Sequence, residues 1–218
     1  MAKKQKSLEL SEAILIENFG IEQLDTTAIP LLREWIAVDM SNKKLNDAEN
    51  YMFNMAHKKL IKNMSFWNEE ELKMNFISMI IALAEFEDPI KSYYDREMSA
   101  MVEGVFLSCK ADMLLSKGIK ELIKTPYFFL HEYKREKKYS GDPIGQMLGG
   151  MLIAQAQNNN GKPIYGCYVQ GRFWFFSILE SKQYVISKAF DASEKEEALQ
   201  IVFILRKLKQ IILERLMD

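Results

Sequence analysis

The chain has 218 residues, 48% of them hydrophobic, with a formal charge of −1 and a pI near 6.2. That length can bury a core of ordinary size, and the near-neutral balance excludes the global basic footprint of a histone-like or tail-driven nucleic-acid binder, so any nucleic-acid contact must be local. Cys109 and Cys167 have no CxxC or Cys/His spacing, which argues against a disulfide framework or a zinc site and fits reduced thiols in a cytoplasm.

The opening MAKKQKSLELSEAIL alternates charge with apolar residues and lacks the continuous apolar stretch of a signal peptide. Helical periodicity follows over 8–18, 27–39 and 44–63, punctuated by Gly20, Pro30 and the SNKK turn. Residues 1–64 are therefore expected to form a helical N-terminal extension, and 65–218 the principal domain. A fourth helix opens at Asn68 as N-cap, with Glu69, Glu70 and Glu71 at the positive end of its dipole and Phe76, Ile77, Ile80 and Leu83 on one face. Its window MNFISMIIALAEF is the most apolar in the chain, yet far shorter than the roughly 20 residues of a membrane span.

Beyond Asp88-Pro89 the period changes. Residues 96–116 read as two strands joined tightly around Gly104, SKGIKELIKTP as a connection, and 127–134 as a third strand. Asp142 and Pro143 then start a helix that the NNNG cluster ends, and its Gly145, Gly149 and Gly150 suggest close packing against a sheet. Three further strands are expected at 164–170, 172–179 and 183–190, the first two hinged at Gly171. Ser193 and Glu196 have the spacing of a capping box for a C-terminal helix. The order is helices followed by αβββαβββα, an α+β domain with a central sheet.

Strand alternation puts Glu132 and Lys134 on one face and His131 and Tyr133 on the other, which makes His131 a packing residue rather than a base. The preceding strand carries Asp112 directly before three apolar residues, and antiparallel pairing would bring it alongside. Two carboxylates converging in a half-buried place are usually neutralised by a divalent cation, and a lysine beside them can hold a water or stabilise charge on a phosphoryl oxygen. An acid-x-Lys triplet alone carries little information: the chain has four, beginning at Glu71, Glu132, Glu136 and Glu180, against about three expected from composition. Context distinguishes Glu132, namely an apolar strand before it, Asp112 upstream, and Gln146 near the start of the next helix.

Asp112, Glu132-Tyr133-Lys134 and Gln146, on the order α-β-β-β-α-β, resemble the PD-(D/E)XK nuclease superfamily. WNEEELKMNFIS, LSCKADMLLSKG, PYFFLHEYKRE and KPIYGCYVQGRFWFF look like an uncharacterised bacterial family within it. The resemblance spans about 66–205 and departs from the motif in lacking a literal Pro-Asp. It implies a restriction-endonuclease-like αβββαβ core with a mixed sheet between helices. It also implies a Mg²⁺ or Mn²⁺ ion held by Asp112, Glu132 and the Tyr133 carbonyl, with Lys134 positioning the attacking water. Gln146 would steady Lys134 or a phosphate, and Glu71 or Glu70 would add a further carboxylate from the first core helix; Glu71 shares its side with Asn75, Ser78 and Ala82.

The implied activity is metal-assisted phosphodiester hydrolysis, on DNA rather than RNA. Between Lys117 and Lys138 seven basic residues face three acidic ones, so Arg135, Lys137 and Lys138 can track a phosphate backbone, and Arg172 is an exposed cation at the later hairpin. Two other classes fit the same residues. One is a catalytically silent nuclease-fold protein that binds nucleic acid or a protein partner. The other is an interaction module whose N-terminal helices contact a partner or a second copy in a homodimer. No membrane contact is expected.

Overall fold

A computed structural model of the chain describes residues 7–119, 122–134 and 141–217. Four helical elements lead the order: α1 (Glu12–Phe19), α2 (Pro30–Ile36), α3 (Asp47–Asn63) and α4 (Glu69–Leu72), interrupted once by the two-residue strand β1 (Glu22–Gln23). α4 runs through a π-helical turn at Lys73–Ile77 into α5 (Ser78–Leu83). Then come β2 (Ile90–Val102), β3 (Val105–Ile119), β4 (Leu122–Lys134), α6 (Pro143–Asn158), β5 (Ile164–Gln170), β6 (Phe173–Glu180), β7 (Gln183–Ile186), β8 (Phe190–Asp191) and α7 (Lys195–Ile211).

The strands form one mixed sheet of eight in the order β1-β7-β6-β5-β4-β3-β2, with β8 paired to β6. β4 and β5 run parallel, as crossing over through α6 requires, while β2–β3, β3–β4, β5–β6 and β6–β7 are antiparallel. β5 is central, and its sequence IYGCYVQ is a continuous apolar run because both faces are covered. One face packs under α2, α3, α5 and α7 around Trp35, Phe76, Phe129, Trp174 and Phe176. The other packs under α1 and α6 around Leu15, Phe19, Leu114, Leu148 and Tyr184. No helix among the described residues is long and apolar enough to cross a membrane.

Helices of the N-terminal segment close both cores. Trp35 of α2 is fully buried, edge-on to Tyr165 and Phe176 at 5.0 and 5.1 Å between ring centroids, and its indole N–H donates to the Ile204 carbonyl at 3.0 Å. α1 docks on α6: the Glu12 N–H donates to Asp142 Oδ2 at 2.7 Å, while Asp142 Oδ1 caps α6 by accepting from Ile144 and Gly145.

Several expectations need correction. Residues 116–119 and 122–126 are strand rather than connection, so β3 and β4 form one long hairpin. β2 also begins six residues earlier than the alternation suggested, at Ile90 rather than 96. The register slips between Leu115 and Lys117, and Thr125-Pro126 falls in that irregular step, outside the β4–β5 ladder, where a missing N–H is harmless. The single strand 183–190 is the pair β7 and β8. Ser193 and Glu196 form no capping box: the N-cap of α7 is Glu194, which makes no side-chain cap, and the Ser193 hydroxyl donates to Asp191 Oδ1 at 2.6 Å. Gly145 and Gly149 admit the N-terminal segment rather than the sheet. A Cβ on Gly145 would meet the Ser11 Cα at 2.4 Å, and one on Gly149 the Leu10 side chain at 2.8 Å.

Candidate functional site

The site lies where β3 and β4 separate. Their last ladder pair is Met113 with His131, so the same register carried one step further sets Asp112 across from Glu132. The ladder stops because the Asp112 side chain takes over the backbone: its Oδ2 accepts the Tyr133 N–H at 2.9 Å. Asp112 also breaks the alternation of β3, since Ala111 and Leu114 both join the core under α6 while Met113 and Leu115 join the opposite one. Across the β2–β3 pair the corresponding residue, Asp95, has a φ of +54° and is passed over in the ladder between Tyr94 and Arg96. The strands are therefore kinked at Asp112, which turns its carboxylate toward the helix α4–α5.

Lys73, the first residue of the π-helical turn, meets it there. Its Nζ lies 2.7 Å from Asp112 Oδ1 and 3.2 Å from both Glu69 Oε1 and Glu70 Oε1. It also stands 5.6 Å from the centre of the Tyr133 ring. The Lys73 side chain is 17% exposed and that of Asp112 13%. Burial works against the Lys73 ammonium, but the hydrogen bond and charge of Asp112, with Glu69 behind them, raise its pKa above the ordinary lysine value.

Glu132 is 6% exposed, and its Oε1 accepts from Lys134 Nζ at 2.6 Å. Burial, together with the negative charges of Asp112 and Glu69, pushes its pKa up to about 7 even with Lys134 in contact. Burial and the charge of Glu132 likewise lift the Cys109 thiol to about 12, leaving it a neutral thiol. His131 is packed among Phe129, Tyr133 and Trp174, and burial alone lowers it to about 3, so it is neutral in the fold.

The carboxylates open on neighbouring hollows. One, of about 280 Å³, is lined by Cys109, His131, Glu132 and Gln146; the other, of about 410 Å³ and largely apolar, by Lys73, Ile77, Tyr94, Asp112 and Tyr133. The structure thus joins Asp112 to the Tyr133 backbone and Lys134 to Glu132, with the two carboxylates lining different hollows and Gln146 at the wall of the one that Glu132 lines. The Gln146 Oε1 is buried without a hydrogen-bond partner, as are both ring nitrogens of His131.

Glu71 is placed elsewhere. It completes a capping box with Asn68, its Oε2 accepting the Asn68 N–H at 2.8 Å, and it points to solvent with Ser78 and Ala82. Glu69, one turn before Lys73, contacts the Lys73 ammonium as Glu70 does, and its charge also acts on Glu132. Arg135, Lys137 and Lys138 lie outside the described residues. Arg172 is half-buried, donating to Asp191 Oδ2 at 3.1 Å with its guanidinium 4.5 Å above the Phe173 ring.

Mg²⁺ accepts one or two protein carboxylates and keeps several waters, so the oxygen donors of Asp112, Glu132 and the Tyr133 carbonyl are of the right chemistry. Burial is the main reason Glu132 is raised, and the Asp112 charge adds to it; that added repulsion is the charge excess such an ion would relieve. Among the described residues no group of three or more His, Cys, Asp or Glu is arranged to hold an ion. Lys73 and Glu69 were missed by sequence reasoning, although Glu69-x-x-x-Lys73 is a helical i, i+4 pair and Lys73 ends one of the four acid-x-Lys triplets. Neither the protein-family models nor the curated proteins compared with this chain match it.

Proposed function

We propose that the protein is a metal-dependent nuclease that hydrolyses phosphodiester bonds in DNA, on a restriction-endonuclease-like core of the PD-(D/E)XK type. The observation that supports this reading is the position of Asp112 and Glu132 on facing strands one step beyond the last ladder pair of β3 and β4, with Lys134 joined to Glu132 at 2.6 Å. Asp112, Glu132 and the Tyr133 carbonyl would hold Mg²⁺ or Mn²⁺, which supplies charge stabilisation at the phosphoryl oxygens and a more acidic water. The chain's own part is positioning. The Tyr133 N–H fixes the Asp112 carboxylate, and Glu132 fixes the Lys134 ammonium, which then has donors left for a water or a phosphate oxygen. Lys117 and Lys124, exposed and directly paired across β3 and β4, place two further cations on the same hairpin.

A second reading, a nuclease fold that binds without turnover, is favoured by the Lys73 ammonium already seated on Asp112. Linear, nicked and single-stranded DNA incubated with Mg²⁺ or Mn²⁺ separates the two. The nuclease reading expects cleavage by the wild type that is lost in Asp112→Ala and Lys134→Ala. Retention of DNA with no cleavage under any of these conditions favours the silent reading, and equal inertness of all three proteins without metal binding removes the enzyme reading.

A further inference from the structure

Lys73 is the residue of the site that the acid-acid-lysine pattern leaves unexplained. It enters from a different element, through the one irregular turn in the helix, and a π-helical turn inserts a residue that re-aims the side chains beginning it. Its ammonium is then held among Asp112, Glu69 and Glu70, with the Tyr133 ring beside it. The Asp112 oxygen it contacts is the one that the Tyr133 N–H leaves open, so the protein fills that position with its own cation.

We propose that Lys73 is the resident counterion of Asp112 and that a divalent cation reaches this carboxylate only by displacing it. The inference rests on the metal-dependent reading of the site and deepens it by identifying what controls occupancy. An ammonium and a metal ion on one carboxylate repel at contact distance, where the interaction of two charges is worth several-fold to many-fold in affinity. Lys73 therefore sets a threshold of cation concentration. Once displaced, it has Glu69 and Glu70 as alternative partners on its own helix, so exchange needs only a side-chain rotation.

Mn²⁺ binding, followed by calorimetry and by the electron paramagnetic resonance of free Mn²⁺, tests this without reference to activity. Lys73→Met keeps the side-chain length without the charge and is expected to bind Mn²⁺ at least about tenfold more tightly than the wild type. Lys73→Arg keeps the charge and is expected to stay weak. The gain is expected to vanish in Lys73→Met combined with Asp112→Asn. In the wild type, acylation of the Lys73 amine, read by peptide mass, is expected to rise with Mn²⁺ while the remote Lys43 and Lys182 stay constant. Equal affinity in the wild type and Lys73→Met overturns the inference and leaves the nuclease reading standing. Absence of binding in every variant removes both, and a gain that survives Asp112→Asn places the ion elsewhere and overturns the inference.

Discussion

At Asp191 one carboxylate accepts from three donors. Oδ1 accepts the Ser193 hydroxyl at 2.6 Å and its N–H at 2.8 Å, and Oδ2 accepts from Arg172 at 3.1 Å. Partial burial opposes ionisation, but the Ser193 hydrogen bonds and the Arg172 guanidinium outweigh it and hold the carboxyl below its ordinary pKa. A folded-state pKa below the unfolded value makes the contribution complete above about pH 4 and lost as pH falls through the lowered value. The urea midpoint of the wild type is therefore expected to drop more steeply below pH 4 than that of Asp191→Asn; parallel acid limbs would count against the account. Gly145 is a second single-residue test. Its missing Cβ is where the Ser11 backbone passes, so Gly145→Ala is expected to cost about 1–3 kcal/mol, measured by chemical denaturation. Residue-scale legibility in the sequence was uneven. Period-two alternation put Glu132 and Lys134 on one face, and they touch. The same rule could not see that Asp112 breaks the alternation, because the break depends on a left-handed residue in the partner strand. Nor could it choose between Glu70 and Glu71, since helical spacing says which residues share a side but not which side meets the sheet; Glu71 caps the helix while Glu70 contacts Lys73.

Elements were easiest to find where the pattern was local. Asn68 with its three glutamates, and Asp142 with Pro143, name helix starts because caps are made by neighbours in sequence. The β3–β4 hairpin is longer than its pattern predicts because 116–126 has weak alternation and a proline. What makes it strand is the partner across the ladder, which no local rule contains. Ser193 failed as a cap for the same reason: a nearby carboxylate, brought by β8, took its hydroxyl. Asp142 joins the two kinds of information, because Oδ1 serves its own helix while Oδ2 anchors α1 from 130 residues away. Asp142→Ala is expected to lose about 2 kcal/mol, toward the upper end for an N-cap. Asp142→Asn, which keeps the cap acceptor, is expected to recover about half of that. If both variants melt alike, the two carboxylate oxygens do not divide their duties in this way. Amide exchange at Ile14 and Leu15, at the start of α1, should accelerate in Asp142→Ala more than exchange in the middle of α6.

For the whole molecule the question is whether residues 1–64 are an addition to the sheet or part of what holds it. α2 sends Trp35 between Phe129, Tyr165 and Phe176 on one side, and α1 buries Leu15 and Phe19 on the other. Both faces of the sheet therefore depend on this segment, and deleting it would expose apolar surface on strands that flank the acid pair. A buried tryptophan of this kind costs about 3–5 kcal/mol on truncation to alanine, a large part of the 5–15 kcal/mol that stabilises a typical domain. Trp35→Ala is expected to lower the thermal midpoint while leaving one cooperative transition. Removal of residues 1–64 is expected to yield a chain without a cooperative transition, monitored by near-ultraviolet circular dichroism and calorimetry. A truncated chain that melts cooperatively near the full-length midpoint would show the sheet to be self-sufficient, and would make the segment a separable appendage available for a partner. Loss of the transition instead means that the fork of β3 and β4 keeps its geometry only in the full chain, because Phe129 and His131, immediately before Glu132, are packed from the side that Trp35 closes.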